Sequence, residues 1–274
     1  MNPPTSGPPS LEQLKQGMRA VWMAGDFGKI AEYSVKEAEV FVDWLDITQG
    51  LQVLDVACGT GNLAIPAARK GAKVTGVDIA TNLLSQARHR AAAEGLKITF
   101  EEGDAEDLPF PNSEFDVVMS MFGAMFAPRP DRVASELARV CRRGGKIAMA
   151  NWTPEGFTGK MFQLSHAHLP PPAGLAAPVL WGHEATVRER LTAQGVKVET
   201  KRQSMVFDYP FPPSEVVQFF REYFGPTKMA FARMDPAAQT AYARDLEKLW
   251  AEHNESDSGT LIQNEYLVVI GTRT

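Results

Sequence analysis

The stretch from Leu51 to Ala80 constrains the fold most, because it combines a strand, a glycine turn, a helix and a second strand. Residues 51–57 have the continuous apolar character of a strand buried on both faces of a parallel sheet. Gly59 and Gly61 follow, and glycine permits both a sharp reversal and the close approach of a ligand to the backbone. The second strand, residues 73–78, ends in an acid. This order predicts the nucleotide-binding half of a doubly wound α/β fold, in which the acid binds ribose hydroxyls.

Asp55, inside the first of these strands, narrows the choice of ligand. Burying an ionisable side chain in an apolar strand is costly unless the group has a partner. A carboxylate just below the glycine turn suits a positively charged ligand, such as the ammonium and sulfonium end of S-adenosylmethionine, and would repel a pyrophosphate. The segment from Gly59 to Ala64 still satisfies the relaxed dinucleotide pattern, so a nicotinamide dinucleotide is the alternative ligand.

Two motifs carry a resemblance to a known family. The run DVACGTG, from Asp55 to Gly61, resembles the first motif of class I S-adenosylmethionine-dependent methyltransferases. The run GDAEDLPF, from Gly103 to Phe110, resembles the GDAxxLPF signature of the same family. The resemblance covers roughly residues 53–152 and is greatest to the small-molecule branch that includes the ubiquinone and menaquinone C-methyltransferases.

The resemblance implies an α/β, doubly wound Rossmann-like methyltransferase fold with a mostly parallel seven-stranded sheet, an antiparallel last strand and a helical lid. It also implies that Asp104 accepts a hydrogen bond from the adenine amine of S-adenosylmethionine and that the Ala105 amide reaches a ring nitrogen. Residues 26–33 are similar to an aromatic and polar element that many relatives fold over the methionine end of the cofactor. The expected cofactor-binding residues are Asp55, Ala57, Gly59, Thr60, Gly61, Asn62, Asp78, Ile79, Asp104, Ala105, Met121, Phe27 and Tyr33.

The acceptor pocket is expected to be apolar and to hold a small methyl acceptor. Its candidate residues are aromatic side chains from the fourth strand onward, namely Phe122, Trp152, Phe157, Phe220, Tyr223 and Phe224. Aromatic stripes at helical spacing are also typical of a protein core, which is the competing interpretation. No side chain is identified as the general base, and the candidates are His166, His168, His183, Tyr33 and Tyr223.

The sequence predicts four regions. Residues 1–10 are expected to be a disordered tail rather than a signal peptide, because they have neither an apolar core nor a cationic start. Residues 11–50 supply N-terminal helices, residues 51–209 and 260–274 form the methyltransferase core, and residues 210–259 form an insertion with two helical patterns separated by a Gly-Pro pair. The insertion and the N-terminal helices are expected to form a lid that excludes water, with the dimerisation surface of a homodimer as the alternative.

Local signals also predict where two helices begin. Ser34 and Glu37 have the spacing of a capping box ahead of an apolar helical pattern. Thr81 is the expected N-cap of the helix that follows the second strand.

Composition argues against several kinds of partner. The net charge of -5 does not favour a surface that follows phosphates, so no nucleic acid is expected. The two cysteines indicate reduced thiols in a cytoplasmic protein, and no apolar run approaches the ~20 residues that span a bilayer. His166 and His168 form a His-x-His pair without a nearby acid or cysteine, so no metal site is predicted.

Three functional hypotheses follow from the sequence. The first is a methyltransferase that uses S-adenosylmethionine and a small organic acceptor. The second is a nicotinamide-dependent oxidoreductase built on the same strand, turn and helix. The third is a protein that binds S-adenosylmethionine without turnover.

Overall fold

A computed structural model describes residues 9–172 and 175–274 of the chain. The strands in this part of the chain are β1 (Gln52–Val56), β2 (Lys73–Asp78), β3 (Ile98–Glu102), β4 (Phe115–Met121), β5 (Cys141–Trp152), β6 (Val196–Tyr209) and β7 (Thr260–Arg273). They form one sheet in the order β3-β2-β1-β4-β5-β7-β6. β1 to β5 pair in parallel, and β7 runs antiparallel to both β5 and β6. The predicted fold class, including the antiparallel last strand, is therefore confirmed.

Helices flank this sheet, and further helices form the segment before β1 and the insertion between β6 and β7. Their bounds are α1 (Leu11–Ala24), α2 (Phe27–Ala31), α3 (Val35–Asp43), α4 (Ala64–Arg69), α5 (Thr81–Ala93), α6 (Pro130–Val140), α7 (Phe157–His168), α8 (Glu184–Thr192), α9 (Pro213–Tyr223), α10 (Gly225–Arg233) and α11 (Pro236–Glu252). Within the described residues, no helix is both long enough and apolar enough to cross a bilayer.

The strand order positions a crevice beside β1. β1 pairs with β2 on one side and with β4 on the other, so the direction of winding reverses there. Ligands of open α/β sheets bind at the carboxyl ends of the strands at such a reversal. Residues 53–56 of β1 are at most 1% exposed, as expected for a central parallel strand covered on both faces.

The structure corrects three predictions about chain termini and helix starts. Ser34 precedes α3 but makes no side-chain cap; its hydroxyl donates to Ala31 O (3.0 Å), while Glu37 accepts a hydrogen bond from Tyr266. Thr81 lies inside α5, whose N-cap is Ala80. The predicted disordered tail, residues 1–10, wrongly includes Ser10, because Ser10 forms a capping box with Gln13 at the start of α1. The rest of that tail, residues 1–8, lies outside the described residues.

The insertion contains three helices, α9, α10 and α11, where the sequence pattern predicted two. The Gly-Pro pair does interrupt the chain, but it does so by starting α10, whose first turn accommodates Pro226. The junction between α9 and α10 lies against the C-terminal end of α1. A Cβ atom on Gly25 would lie 2.1 Å from Tyr223 O, and one on Gly225 would lie 2.0 Å from Val21 O. The two backbones can approach this closely only because both positions are glycine.

Candidate cofactor and acceptor cleft

A cleft opens at the carboxyl ends of β1, β2 and β4 and is closed on the outside by α1. It encloses about 1120 Å³, part of it open to solvent. The segments that line it are residues 103–105 and parts of residues 15–38, 55–63, 78–83 and 121–128.

The glycine turn forms the floor of the cleft. Gly59 has a φ of +53°, and a Cβ at this position would meet nothing within 4 Å, so its backbone is open to a ligand. Gly61 has a φ of +82° but does not line the cleft; its Cα packs towards Phe100 and Ala87 instead. Gly59 therefore lets a ligand reach the backbone, and Gly61 allows the turn to bend into α4.

Arg90 and Asn62 fix the outer side of this turn. The Arg90 guanidinium donates to Thr60 O (2.7 Å) and to Asn62 Oδ1 (2.6 Å). The Asn62 amide donates to Ala31 O (3.0 Å) in α2. Asn62 therefore joins the glycine turn to the N-terminal helices, and Arg90 is a supporting residue that the sequence analysis did not identify.

Asp55 lies beneath the turn with only 1% of its surface exposed and lines the cleft. Its Oδ2 accepts a hydrogen bond from the Ala64 amide (3.0 Å) at the start of α4. Burial raises the pKa of Asp55 well above its usual value; the Ala64 hydrogen bond opposes this shift, and the charge of Asp78 adds to it. A buried carboxylate with a raised pKa is stabilised by a cationic partner, so this position favours a ligand ammonium.

Asp78, at the end of β2, holds the turn in place. Its Oδ2 accepts from the Gly59 amide (2.8 Å) and its Oδ1 from the Ala80 amide (2.8 Å). Burial raises the pKa of Asp78 despite these hydrogen bonds. Each carboxylate oxygen has a second lone pair, so both can also accept from a ligand hydroxyl.

Two residues at the strand ends adopt left-handed backbone conformations. Ala57, after β1, has a φ of +56°, and Phe122, after β4, has a φ of +57°. Both line the cleft. A Cβ on Gly123 would lie 2.6 Å from both Cβ and O of Ala57, so the two strand ends are in close contact. Such conformations cost about 1–3 kcal/mol each and concentrate at binding sites.

A charged group lies at the other end of the cleft, beyond β3. Asp104 accepts from the Glu106 amide (2.8 Å) and pairs with Lys15 of α1. The Glu106 side chain is fully buried, at 0% exposure, and pairs with Lys15 (2.8 Å) and Arg129 (2.8 Å). Burial lowers the pKa of Lys15, but the hydrogen bonds and charges of Asp104 and Glu106 outweigh this and raise it overall. Ala105 also lines the cleft beside this group.

Three aromatic rings and one methionine form the outer wall of the cleft, which we define as Met18, Trp22, Phe27 and Phe126. The Trp22 ring packs edge-on against Phe27 (5.6 Å) and Phe126 (4.9 Å). Phe27 belonged to the predicted set, whereas Met18, Trp22 and Phe126 were missed because nothing local marks them as ligand contacts.

The structure brings most of the predicted cofactor residues together and leaves two outside. The residues that line the cleft are Asp55, Ala57, Gly59, Thr60, Asn62, Asp78, Ile79, Asp104, Ala105, Met121 and Phe27. Gly61 supports the turn from behind. Tyr33 packs against Tyr209 (4.3 Å) and Phe219 (5.8 Å) in the insertion instead.

Of the predicted acceptor residues, only Phe122 lines the cleft. The Trp152 ring stacks on Phe122 with 3.6 Å between the ring centroids. The Phe224 ring packs against Trp22, with 6.0 Å between the centroids. Phe157 and Phe220 pack on Trp250 in the core of the insertion, and Tyr223 packs on Phe219. The competing core interpretation describes these rings better, because the insertion needs its own apolar interior.

The candidate bases lie away from the cleft lining. His168 pairs with Asp245 (3.0 Å), and His183 contacts Thr186 (2.8 Å). His166 is half-buried in α7, and burial lowers its pKa. Across residues 9–172 and 175–274 no histidine or tyrosine borders the cleft, and no group of acids, histidines and cysteines could hold a metal ion.

Comparison with known proteins identifies the family. A methyltransferase domain family model matches residues 53–145. The uncharacterized protein Rv1403c of Mycobacterium tuberculosis is 42% identical over 231 residues, which cover 84% of this chain and 84% of that protein. A phosphatidylethanolamine N-methyltransferase of Cereibacter sphaeroides is 38% identical over 127 residues, covering 46% of this chain and 60% of that protein. Phosphoethanolamine N-methyltransferase 2 of Haemonchus contortus, solved with S-adenosylmethionine, shares the fold with a TM-score of 0.56 and 19% identity over 87% of this chain and 53% of that chain.

The matched segment contains the glycine turn, Asp78 and Asp104, which are the features that shape the sheet side of the cleft. Residues 53–145 therefore form a methyltransferase domain, whose cofactor is S-adenosylmethionine. Over its greater length, the chain belongs to one family with the uncharacterized protein Rv1403c. This assignment replaces the nicotinamide-dependent alternative.

Proposed function

We propose that this protein transfers the methyl group of S-adenosylmethionine to a small, largely apolar organic molecule bound in the cleft. The observation that carries the proposal is the division of the cleft into two chemically different sides. One side, which we call the sheet edge, presents Asp55, Asp78 and Asp104. The outer wall, on the opposite side, presents the Met18 side chain and the aromatic rings of Trp22, Phe27 and Phe126.

The sheet edge fits the cofactor from end to end. Asp55 lies in β1, Asp78 is the last residue of β2 and Asp104 lies in the loop after β3, and these three strands are neighbours. Because these strands are adjacent, the three carboxylates line the cleft in the order of the strands. An amino acid, a ribose and an adenine follow one another in the same order along S-adenosylmethionine. Asp55 would receive the ammonium, Asp78 the ribose hydroxyls and Asp104 the adenine amine.

The protein residues act by orientation and by exclusion of water. S-adenosylmethionine, when bound, supplies an electrophilic methyl group on a sulfonium. Phe122 and the outer wall would hold the acceptor against it, and good alignment of two reactants can contribute about 7–11 kcal/mol. Because no described histidine or tyrosine borders the cleft, the acceptor is expected to supply its own nucleophile without a protein base.

Two measurements test this function. Calorimetry should show binding of S-adenosylhomocysteine, and incubation with methyl-labelled S-adenosylmethionine and a panel of apolar acceptors should give a labelled product. Tight binding without any product would support the third hypothesis, a protein that binds the cofactor without turnover. Absence of binding would overturn the placement of the cofactor in this cleft.

The resemblance to the ubiquinone and menaquinone C-methyltransferases stays a prediction, as does the chemical nature of the accepting atom. The phosphatidylethanolamine enzyme among the relatives methylates nitrogen, according to its name, and this supports an amine as the alternative to a carbon acid. Nuclear magnetic resonance of a product carrying a ¹³C-methyl group would separate carbon, oxygen and nitrogen methylation.

A further inference from the structure

Helix α1 covers the cleft without being part of the protein core. None of its residues is buried, yet Lys15, Met18 and Trp22 all line the cleft. These positions are spaced i, i+3 and i+7 and therefore share one face of the helix. Trp22, near the C-terminal end of α1, packs against the core, so it is the N-terminal part of the helix that has little apolar packing to hold it.

The two ends of α1 are held differently. At its C-terminal end, Gly25 is in backbone contact with the junction between α9 and α10, where Gly225 packs against Val21 O. Nearer its N-terminal end, Lys15 pairs with Asp104 and Glu106 in the loop after β3, whereas Arg19 makes only an exposed pair with Glu102 at the end of β3. Close backbone packing resists separation, whereas ion pairs can exchange with water, so the Lys15 end is the one that can open.

Glu106 connects this end of α1 to a second wall of the cleft. Its fully buried carboxylate accepts from the Arg129 amide (2.6 Å) and pairs with the Arg129 guanidinium (2.8 Å) and with Lys15 (2.8 Å). Arg129 directly follows residues 127–128, which line the cleft. Lys15 also pairs with Asp104, the predicted adenine acceptor. A single ion-pair network, Lys15–Glu106–Arg129, therefore joins three segments around the adenine end.

We propose that this network controls exchange of the cofactor, with Lys15 as a positioning residue that fastens α1 over the adenine. Opening α1 about Gly25 would break the Lys15 pairs and expose the adenine end, and closing would restore them. The inference rests on the proposed function, because it requires the cofactor to lie along the sheet edge. Loss of the Lys15 pairs makes opening of α1 easier, so the release rate of the cofactor product is the quantity that we expect Lys15 to set.

The first test measures the dissociation rate of S-adenosylhomocysteine by stopped-flow displacement for the wild type and for Lys15→Gln, Lys15→Arg and Arg19→Gln. We expect Lys15→Gln to release the ligand at least about tenfold faster. Lys15→Arg should restore most of the slow rate, because it keeps the charge. Arg19→Gln is the matched control, since Arg19 lies one turn further along α1 in an exposed pair with Glu102 and does not line the cleft. Equal rates for Lys15→Gln and Arg19→Gln would overturn the proposal.

The second test locks the helix rather than loosening it. Cysteines at positions 19 and 102 can be joined by a short bismaleimide, because the native Cys58 and Cys141 are both buried. The cross-linked protein should release bound S-adenosylhomocysteine at least about tenfold more slowly than the same variant without the reagent. An unchanged release rate would show that α1 does not gate the site. Failure of every form, including the wild type, to bind S-adenosylhomocysteine would refute the proposed function itself.

Discussion

The sheet edge and the outer wall face each other across the cleft, but they are built in different ways. The sheet edge is held by hydrogen bonds between side chains and nearby backbone, such as those from Ala64 to Asp55 and from Gly59 to Asp78. The outer wall is held by edge-on aromatic contacts between separate segments, such as Trp22 with Phe27 and with Phe126. One side is therefore preformed by its own local chain, and the other exists only when separate elements come together.

The largest expected effect comes from the sheet edge. Asp78→Ala removes the proposed ribose acceptor and leaves the Gly59 amide without its partner, and we expect binding of S-adenosylhomocysteine to weaken by about 100-fold. Asp116→Ala is the matched control, because Asp116 also accepts a backbone hydrogen bond (Gln52 N, 2.7 Å) but lies at the opposite end of the sheet. Calorimetry on both variants, after confirming that each is folded, compares them. Similar losses of affinity would mean that Asp78 acts only through stability.

A second effect at the sheet edge depends on pH. Burial raises the pKa of Asp55 in the free protein. A fraction of the protein molecules therefore keeps this carboxyl protonated at pH values where an exposed aspartate is fully ionised. Binding a ligand ammonium requires the ionised form, so affinity for S-adenosylhomocysteine should rise as pH increases towards neutrality. Asp55→Asn should weaken binding by about tenfold and abolish this dependence, since an amide keeps the Ala64 hydrogen bond but carries no charge. A wild-type affinity that does not vary with pH would contradict the role of Asp55.

The outer wall should affect the acceptor more than the cofactor. Trp22→Ala removes the ring that joins Phe27 and Phe126, and we expect kcat/KM for the acceptor to fall by about tenfold while affinity for S-adenosylhomocysteine changes little. Trp44→Ala, which removes a tryptophan that is 40% exposed, provides the control for loss of an aromatic side chain. If Trp22→Ala lowered cofactor affinity alone, the outer wall would belong to the cofactor site.

The smallest effect is expected from the histidines. Replacing His166, His168 or His183 with Gln should change kcat by less than about twofold, because none of them borders the cleft. The pH profile of kcat should then follow the pKa of the acceptor rather than that of a protein group. A large loss in one of these variants, with unchanged folding, would identify a base that reaches the cleft only after a rearrangement.

The sequence predicted the sheet edge well because the determinants are local. β1, the glycine turn and β2 lie within 30 consecutive residues, and their apolar runs, glycines and acids each have one simple physical interpretation. The strand bounds agree closely with the structure for the same reason. Among the residues that were missed, Arg90 and Glu106 are charged side chains whose partners lie far away in the chain.

The aromatic residues show the limit of pattern reasoning most clearly. Phe122 and Phe157 look equivalent in sequence, yet one lines the cleft and the other packs on Trp250. A pattern of apolar positions indicates which face of an element is covered, but not whether protein or ligand covers it. Backbone conformation was equally hidden, because nothing at Ala57 or Phe122 signals a positive φ.

The contact between Gly25 and Gly225 has a consequence for engineering. Exchanging the insertion for that of a related enzyme would be a natural way to seek new acceptors. A graft that brought a larger residue to position 225 would push α1 outward and, through it, unseat Lys15 from Glu106. The first helix and the insertion should therefore be transplanted together, as one cassette.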